Sequence, residues 1–286
     1  MKKILIAGAT GYLGKFVVRE LNNRGFFIRA LSRNPERLDD IREEIDEYHI
    51  GQITRPDTLE GICDGMDVVF SSIGITKQKD KLTFKDVDYQ GNQNLLNEAK
   101  KAGVKKFIYV SLLNGPKLCH LDIVKAHEDF VKDLKSSGID YAVIRPTGYF
   151  SDMEEFLSMA RKGRVFLIGT GDNRVNPIHG VDLAVSCADA VDKSKHEINV
   201  GGPEVMTWKQ IATLALETLN QPIKITRVPL WVMNFTQFAI RIFSPHKAGL
   251  LAFFITMSTQ DMVGQTTGTH TLKAHFKKWE CNYENN

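Results

Sequence analysis

Cysteine is scarce and scattered: Cys63, Cys119, Cys187 and Cys281 lie far apart and form no CxxC pair. That spacing argues against a disulfide framework and against a metal site. It predicts reduced thiols in a cytoplasmic protein. Charge imbalance is missing as well. The formal net charge is +3, too small to predict nucleic-acid binding. No uninterrupted apolar run approaches the roughly 18 residues of a membrane span, so no transmembrane helix is expected. The start, Met1-Lys2-Lys3 and then apolar residues, has the outline of a signal peptide, yet glycines interrupt it and no small-residue cleavage site follows. Internal repeats and low-complexity tracts are also lacking. What remains is 43% hydrophobic and 25% charged over 286 residues, an ordinary globular composition with room for one large domain or two modest ones.

Against this plain background one stretch stands out. Ile4-Leu5-Ile6-Ala7 reads as a strand, glycines follow at 8, 11 and 14, and Leu13, Phe16, Val17 and Leu21 continue with helical spacing. A strand, a tight turn and a helix start thus follow one another without a gap. Unpaired N–H groups and the dipole of such a helix start suit a pyrophosphate. Gly8 and Gly11 let the turn form and the phosphate approach, while Gly14 lets helix and strand pack closely. The segment Gly8, Ala9, Thr10, Gly11, Tyr12, Leu13, Gly14 is therefore read as a dinucleotide cradle.

Strand–helix alternation continues beyond it. Strands are expected at Phe26 to Leu31, Glu47 to Ile50, Asp67 to Ser72, Lys106 to Ser111 and Asp140 to Arg145, with helices near Phe84 to Ala102 and Asp122 to Ser136. Such alternation predicts a doubly wound parallel sheet, an α/β Rossmann fold, over residues 1–150. Ligands of these sheets sit at the carboxyl ends of the strands, where Ser71, Ser72, Ile73, Ser111, Arg145, Pro146 and Thr147 fall. The second strand ends in Ser32-Arg33 with no acid. An acid there binds the ribose 2′-hydroxyl and an arginine accommodates a 2′-phosphate, so NADP is favoured over NAD. The plain alternative for Arg33 is a solvated charge. Residues 151–286 read as a mostly helical substrate or cap region interleaved with the first domain. Within it, 228–257 is strongly apolar. The expected reading is a cap whose apolar face is buried on the main domain or on a second copy, with contact to a membrane surface as the alternative.

Together these residues resemble the atypical branch of the short-chain dehydrogenase/reductase superfamily over nearly the whole chain. Gly8 to Gly14 resembles its GATGxxG turn. Val87 to Leu96, Phe107 to Ser111, Ile144-Arg145-Pro146-Thr147 and Asn199-Val200-Gly201-Gly202-Pro203 are similar to later family segments in the same order. The resemblance implies a nicotinamide cofactor and places Arg145 to Gly148 beside the nicotinamide. The catalytic pattern departs from it. Members with the full set carry a tyrosine four residues before a lysine, and a serine; the lysine lowers the tyrosine pKa. Here Lys125 stands at the lysine position, but Leu121 and Leu113 occupy the other two, and Asp88 replaces an asparagine. Val124 to Phe130 is similar to the lysine segment of NmrA-like, isoflavone-reductase-like and divinyl-chlorophyllide-reductase-like proteins. That similarity implies that Lys125 binds the cofactor ribose and acts in acid–base chemistry. His127 and Glu128 are expected on the helix surface.

Tyr109, Tyr149 and His179 are further candidate proton donors. Tyr149 and Phe150 are expected to line the substrate pocket, and His179 has a helix-capping contact as its plain reading. Metal-ligand spacing and a Ser–His–Asp order are absent. The expected protein is an NADP(H)-dependent oxidoreductase, a monomer or homodimer, acting on a small or medium apolar substrate. The alternative is a non-catalytic NADP(H)-binding sensor or assembly factor.

Overall fold

Ile4, Leu5, Ile6 and Ala7 are fully buried, and the strand they build, β1 (Lys3–Ala7), lies in the middle of a parallel sheet. Both faces of such a strand are covered, which is why its sequence is a continuous apolar run instead of an alternating one. The computed structural model describes residues 1–75, 82–193 and 196–284. Helix α1 (Tyr12–Asn23) follows, then β2 (Phe27–Ser32), β3 (Glu47–Ile50), β4 (Val68–Ser71), α2 (Asn92–Lys101), β5 (Lys106–Val110), α3 (Asp122–Lys135) and β6 (Asp140–Pro146). Next come α4 (Phe150–Arg161), β7 (Val165–Ile168), β8 (Arg174–Val175), α5 (Gly180–Asp189), β9 (Glu197–Gly201), β10 (Met206–Thr207) and α6 (Trp208–Thr218). The chain ends with β11 (Ile225–Val228), α7 (Leu230–Phe243), α8 (Pro245–Thr259), β12 (Gln265–Thr266) and α9 (Leu272–Glu284).

The chain divides into two compact units, Met1–Arg145 with Leu183–Ile198, and Pro146–Asp182 with Asn199–Asn286. The central sheet has eight strands in the order β12-β9-β6-β5-β4-β1-β2-β3, so the α/β doubly wound architecture is present. Strand order reverses at β1, which pairs with β2 through Ile4↔Ile28 and with β4 through Ile4↔Val68. The carboxyl ends of β1 and β4 therefore flank a topological switch point, the place where ligands of open α/β sheets bind. One face of unit 1 packs Leu5, Val69, Leu95, Phe107, Phe130, Val131 and Leu134 into a continuous apolar layer.

Two elements differ from their sequence reading. The helix expected from Phe84 begins as a π-helical segment, Lys85–Gly91, and becomes α-helical only at Asn92. Asp88 and Asn92 are both fully buried there, and such widened turns gather at functional sites. The second difference lies in unit 2. The apolar stretch 228–257 forms α7 and α8, which pack on each other; α8 buries Ala248 and Ile255, whereas α7 has no fully buried residue and only its Val232, Met233, Ala239 and Ile240 side is partly covered.

Candidate cofactor-binding site

The glycine turn between β1 and α1 is built by exclusion of side chains. Gly8 adopts φ +98°, and its carbonyl accepts the Gly11 N–H at 2.9 Å. A Cβ on Gly14 would lie 2.0 Å from the Gly8 oxygen, and one on Gly8 would lie 2.7 Å from Ser72 Oγ. Only glycine satisfies both contacts. Helix α1 opens at Gly11 with no side-chain cap and no acid in its first turn, so its positive end is left for an anion. Ala9 and Leu13 are buried beneath the turn, Thr10 is half-buried, and the Tyr12 ring packs edge-on to Phe16 at 5.2 Å.

At the end of β2, Ser32 is buried and its hydroxyl is spent on the chain: it donates to the Asn34 carbonyl at 2.7 Å and accepts from the Asn34 N–H. Arg33 is exposed and pairs with no acid among the described residues. The cation is available while the serine holds the turn in shape.

At the ends of β4 and β5 lie two polar networks of unit 1, the first buried and the second open to solvent only at Glu197. Ser71 Oγ donates to Asn92 Oδ1 at 2.5 Å, and Asn92 Nδ2 donates to the Asp88 and Ile73 carbonyls. Asp88 Oδ1 lies 3.1 Å from His127 Nε2, and His127 Nδ1 lies 2.6 Å from the Tyr109 hydroxyl. Burial, reinforced by the Asp88 charge, holds the Tyr109 pKa well above its usual value. Tyr109 is therefore the donor to Nδ1, which leaves Nε2–H to donate to Asp88. In the second network Ser111 Oγ donates to Glu128 Oε1 at 2.8 Å. Arg145 grips both Glu128 oxygens at 2.5 and 2.9 Å and meets Glu197 Oε2 at 2.9 Å. A Cβ on Gly115 would lie 2.2 Å from Glu128 Oε1, so this network needs glycine there too.

The expected surface positions of His127 and Glu128 are corrected by this arrangement. His127 is buried and the Glu128 side chain is largely covered, because α3 turns Ile123, Val124, His127, Phe130, Val131 and Leu134 inward and packs Phe130 on Phe107 and Tyr109 of β5. Period-3.6 spacing with Phe130 and Leu134 is the signal that would have placed His127 on the buried face. Which acids would meet it was set by the sheet.

A family model described as NAD(P)H-binding matches residues 8–193. The chain belongs to this family. Within it the chain falls in the atypical branch of the short-chain dehydrogenase/reductases. It is 28% identical over 257 residues to divinyl chlorophyllide a 8-vinyl-reductase, chloroplastic, of Arabidopsis thaliana, covering 81% of this chain and 61% of that protein. The chain thus spans less than two thirds of that relative. To the photosystem II assembly factor Ycf39 of Trieres chinensis it is 25% identical, covering 81% of this chain and 73% of the factor. Among solved structures, the NADPH-dependent quinone oxidoreductase QOR2 of Escherichia coli, complexed with NADPH, superposes with a TM-score of 0.76 at 20% identity, covering 97% and 99% of the two chains. That likeness shows the fold.

In this atypical reductase-type chain Lys125 lies on the outward face of α3. Its Nζ is 2.5 Å from Asp129 Oδ2, both side chains are about half exposed, and the hydrogen bond raises the lysine pKa. Ser72 and Ile73 follow β4, with the Ser72 N–H donating to the Ala7 carbonyl at 3.1 Å.

The remaining expected residues belong to unit 2. Thr147 is buried, its hydroxyl donating to the Asn176 carbonyl at 2.6 Å, directly after Pro146 ends β6. Gly148 accepts from the Ile178 N–H, Tyr149 caps α4, and Phe150 is buried against His179 and His275. His179 accepts the Val181 N–H at 3.2 Å, the capping contact expected of it, and stacks on His270 at 4.5 Å. His270 meets Asp182 at 2.8 Å, and His275 meets Glu154 at 3.0 Å. Among the described residues, no group of His, Cys, Asp or Glu is arranged to hold a metal ion.

Proposed function

We propose that this protein is an NADP(H)-dependent reductase acting on a small or medium apolar substrate. The observation that carries the reading is the glycine turn, where Gly8 and Gly14 leave a cradle that a single Cβ would fill. A dinucleotide fits the residues present: the α1 N-terminus and the Gly8 to Gly14 turn would hold its pyrophosphate. Arg33, exposed at the end of β2 and with no acid partner among the described residues, supports a 2′-phosphate and hence NADP over NAD. Ser72 and Ile73 are assigned to the wall at the strand ends, with Ser71 and Ser111 behind it, their hydroxyls bonded to Asn92 and Glu128; Arg145, Pro146, Thr147 and Gly148 are assigned to the nicotinamide side. The bound nicotinamide supplies a hydride. Lys125, its proton held more firmly than usual by Asp129, is better suited to holding a ribose hydroxyl than to giving a proton away. Tyr149 and Phe150 are assigned to the substrate wall.

A second reading has its own support. The tyrosine and one serine of the full catalytic set are leucines here, and Lys125 is engaged on an exposed helix face. Several relatives bear the name of a photosystem II assembly factor. A non-catalytic NADP(H)-dependent assembly or sensor protein would look the same.

Calorimetric titration with NADPH and NADH, followed by NADPH oxidation against quinones, enones and aldehydes, separates the readings. Tight NADPH binding with turnover that Lys125→Ala abolishes is the expected result. Binding without turnover of any panel member selects the assembly reading, and no NADPH binding overturns both.

A further inference from the structure

Helix α7 inverts the usual order of an amphipathic helix. Trp231, Phe235, Phe238 and Ile242 recur at i, i+4, i+7 and i+11, which puts them on one face. They are 72%, 68%, 66% and 69% exposed. Phe243 at the end of α7 and Phe254 on α8 extend the exposed apolar surface. A contiguous apolar stripe of this kind marks a contact surface.

Charge along the stretch that carries the stripe has one sign. Between Glu217 and Asp261 the chain holds no acidic residue, whereas Lys224, Arg227, Arg241 and Lys247 all fall there and are exposed. A two-fold contact with a second copy would set this basic patch against itself with no acid in the hairpin to offset it. The surface that matches both features is an anionic bilayer, which takes large apolar side chains into its interfacial layer and attracts nearby Lys and Arg. Tryptophan favours that layer, because its ring is apolar with one polar edge. With 14 and 15 residues, α7 and α8 are suited to lying on a membrane; no described helix is long and apolar enough to cross one.

We propose that the α7 stripe docks this protein on the surface of an anionic membrane, with Trp231, Phe235, Phe238 and Ile242 in the interfacial layer and Arg241 and Lys247 against lipid headgroups. The inference stands apart from the reductase reading, since it uses no residue of the cofactor site.

Flotation of the full chain with vesicles of phosphatidylcholine, alone or mixed with phosphatidylglycerol, tests it. The protein floats with the mixed vesicles, less so as salt is raised. Phe235→Ser with Phe238→Ser removes flotation. Arg241→Gln lowers partitioning about five-fold, the equivalent of ~1 kcal/mol per basic residue at an anionic surface. All three substituted side chains are exposed, so an unchanged melting temperature and circular dichroism spectrum show that the variants are folded. Failure to float, equal flotation with both vesicle types, or wild-type flotation of the double variant overturns the proposal. So does a dimer that Phe238→Ser dissociates in a protein that ignores vesicles.

Discussion

Gly14 and Arg33 contrast in the candidate cofactor site: one has no side chain, and the other carries an exposed cation with no acid partner among the described residues. Alanine at Gly14 sets a methyl group 2.0 Å from a backbone carbonyl that has no room to retreat, since Gly8 is held between Gly11 and Ser72. Gly14→Ala is expected to cost about 1–3 kcal/mol of stability through overpacking. It is also expected to abolish NADPH binding in a calorimetric titration. Arg33→Ala leaves the fold alone, because the side chain is exposed. It should weaken NADPH binding about tenfold to a hundredfold, the worth of charge-assisted hydrogen bonds to a phosphate, while leaving NADH affinity nearly unchanged. Equal losses for both cofactors would remove Arg33 from the 2′-phosphate.

Helix α3 presents three faces, each in a different chemical setting. His127 turns inward to Asp88 and Tyr109, Glu128 turns to Arg145 and Ser111, and Lys125 turns outward to Asp129. Glu128→Gln leaves a guanidinium that is 3% exposed with only Glu197 to balance it, and should destabilise by about 3 kcal/mol in denaturant unfolding. Lys125→Ala removes an exposed i,i+4 pair and should change stability by less than about 0.5 kcal/mol. A large activity loss in that variant would then report a functional role. The π-helical segment before α2 belongs to the same scale, because the buried Asp88 it carries is what His127 meets.

At the scale of the whole molecule, pH acts through two sets of groups with separate windows. Glu197 is pulled below its usual pKa: burial raises it, but Lys135 and Arg145 outweigh that. Lys15 lowers the pKa of Asp40, and Lys105 that of Asp67. Such carboxylates contribute stability above their unfolded pKa, lost only as pH falls below about 4. His179 acts earlier. Burial, with His270 and His275 beside it, lowers its pKa from 6.5 to about 4. Above pH 6.5 both folded and unfolded forms are neutral there, so nothing is gained or lost. Between 6.5 and 4 the unfolded chain takes the proton and the folded one refuses it, so stability falls, by up to about 3 kcal/mol. His179→Asn keeps an acceptor for the Val181 N–H at a helix start and removes the titration. Its stability should be flatter over that interval in urea melts at stepped pH. A slope equal to wild type would assign the loss to groups other than His179.

The strand–turn–helix opening and the parallel α/β alternation are local properties, written in apolar runs and glycine spacing. Neighbours along the chain decide them, so they were legible residue by residue. The inward turn of His127 and Glu128 was not. It depends on which strands α3 crosses, and the acid, hydroxyl and guanidinium they meet come from positions 88, 109, 111 and 145, which only the sheet brings together. Residues 230–243 show the same division. Apolar content announced a helix seeking a surface, but whether the chain itself covers that face is a question of packing, and in the folded molecule Trp231, Phe235, Phe238 and Ile242 are left facing outward.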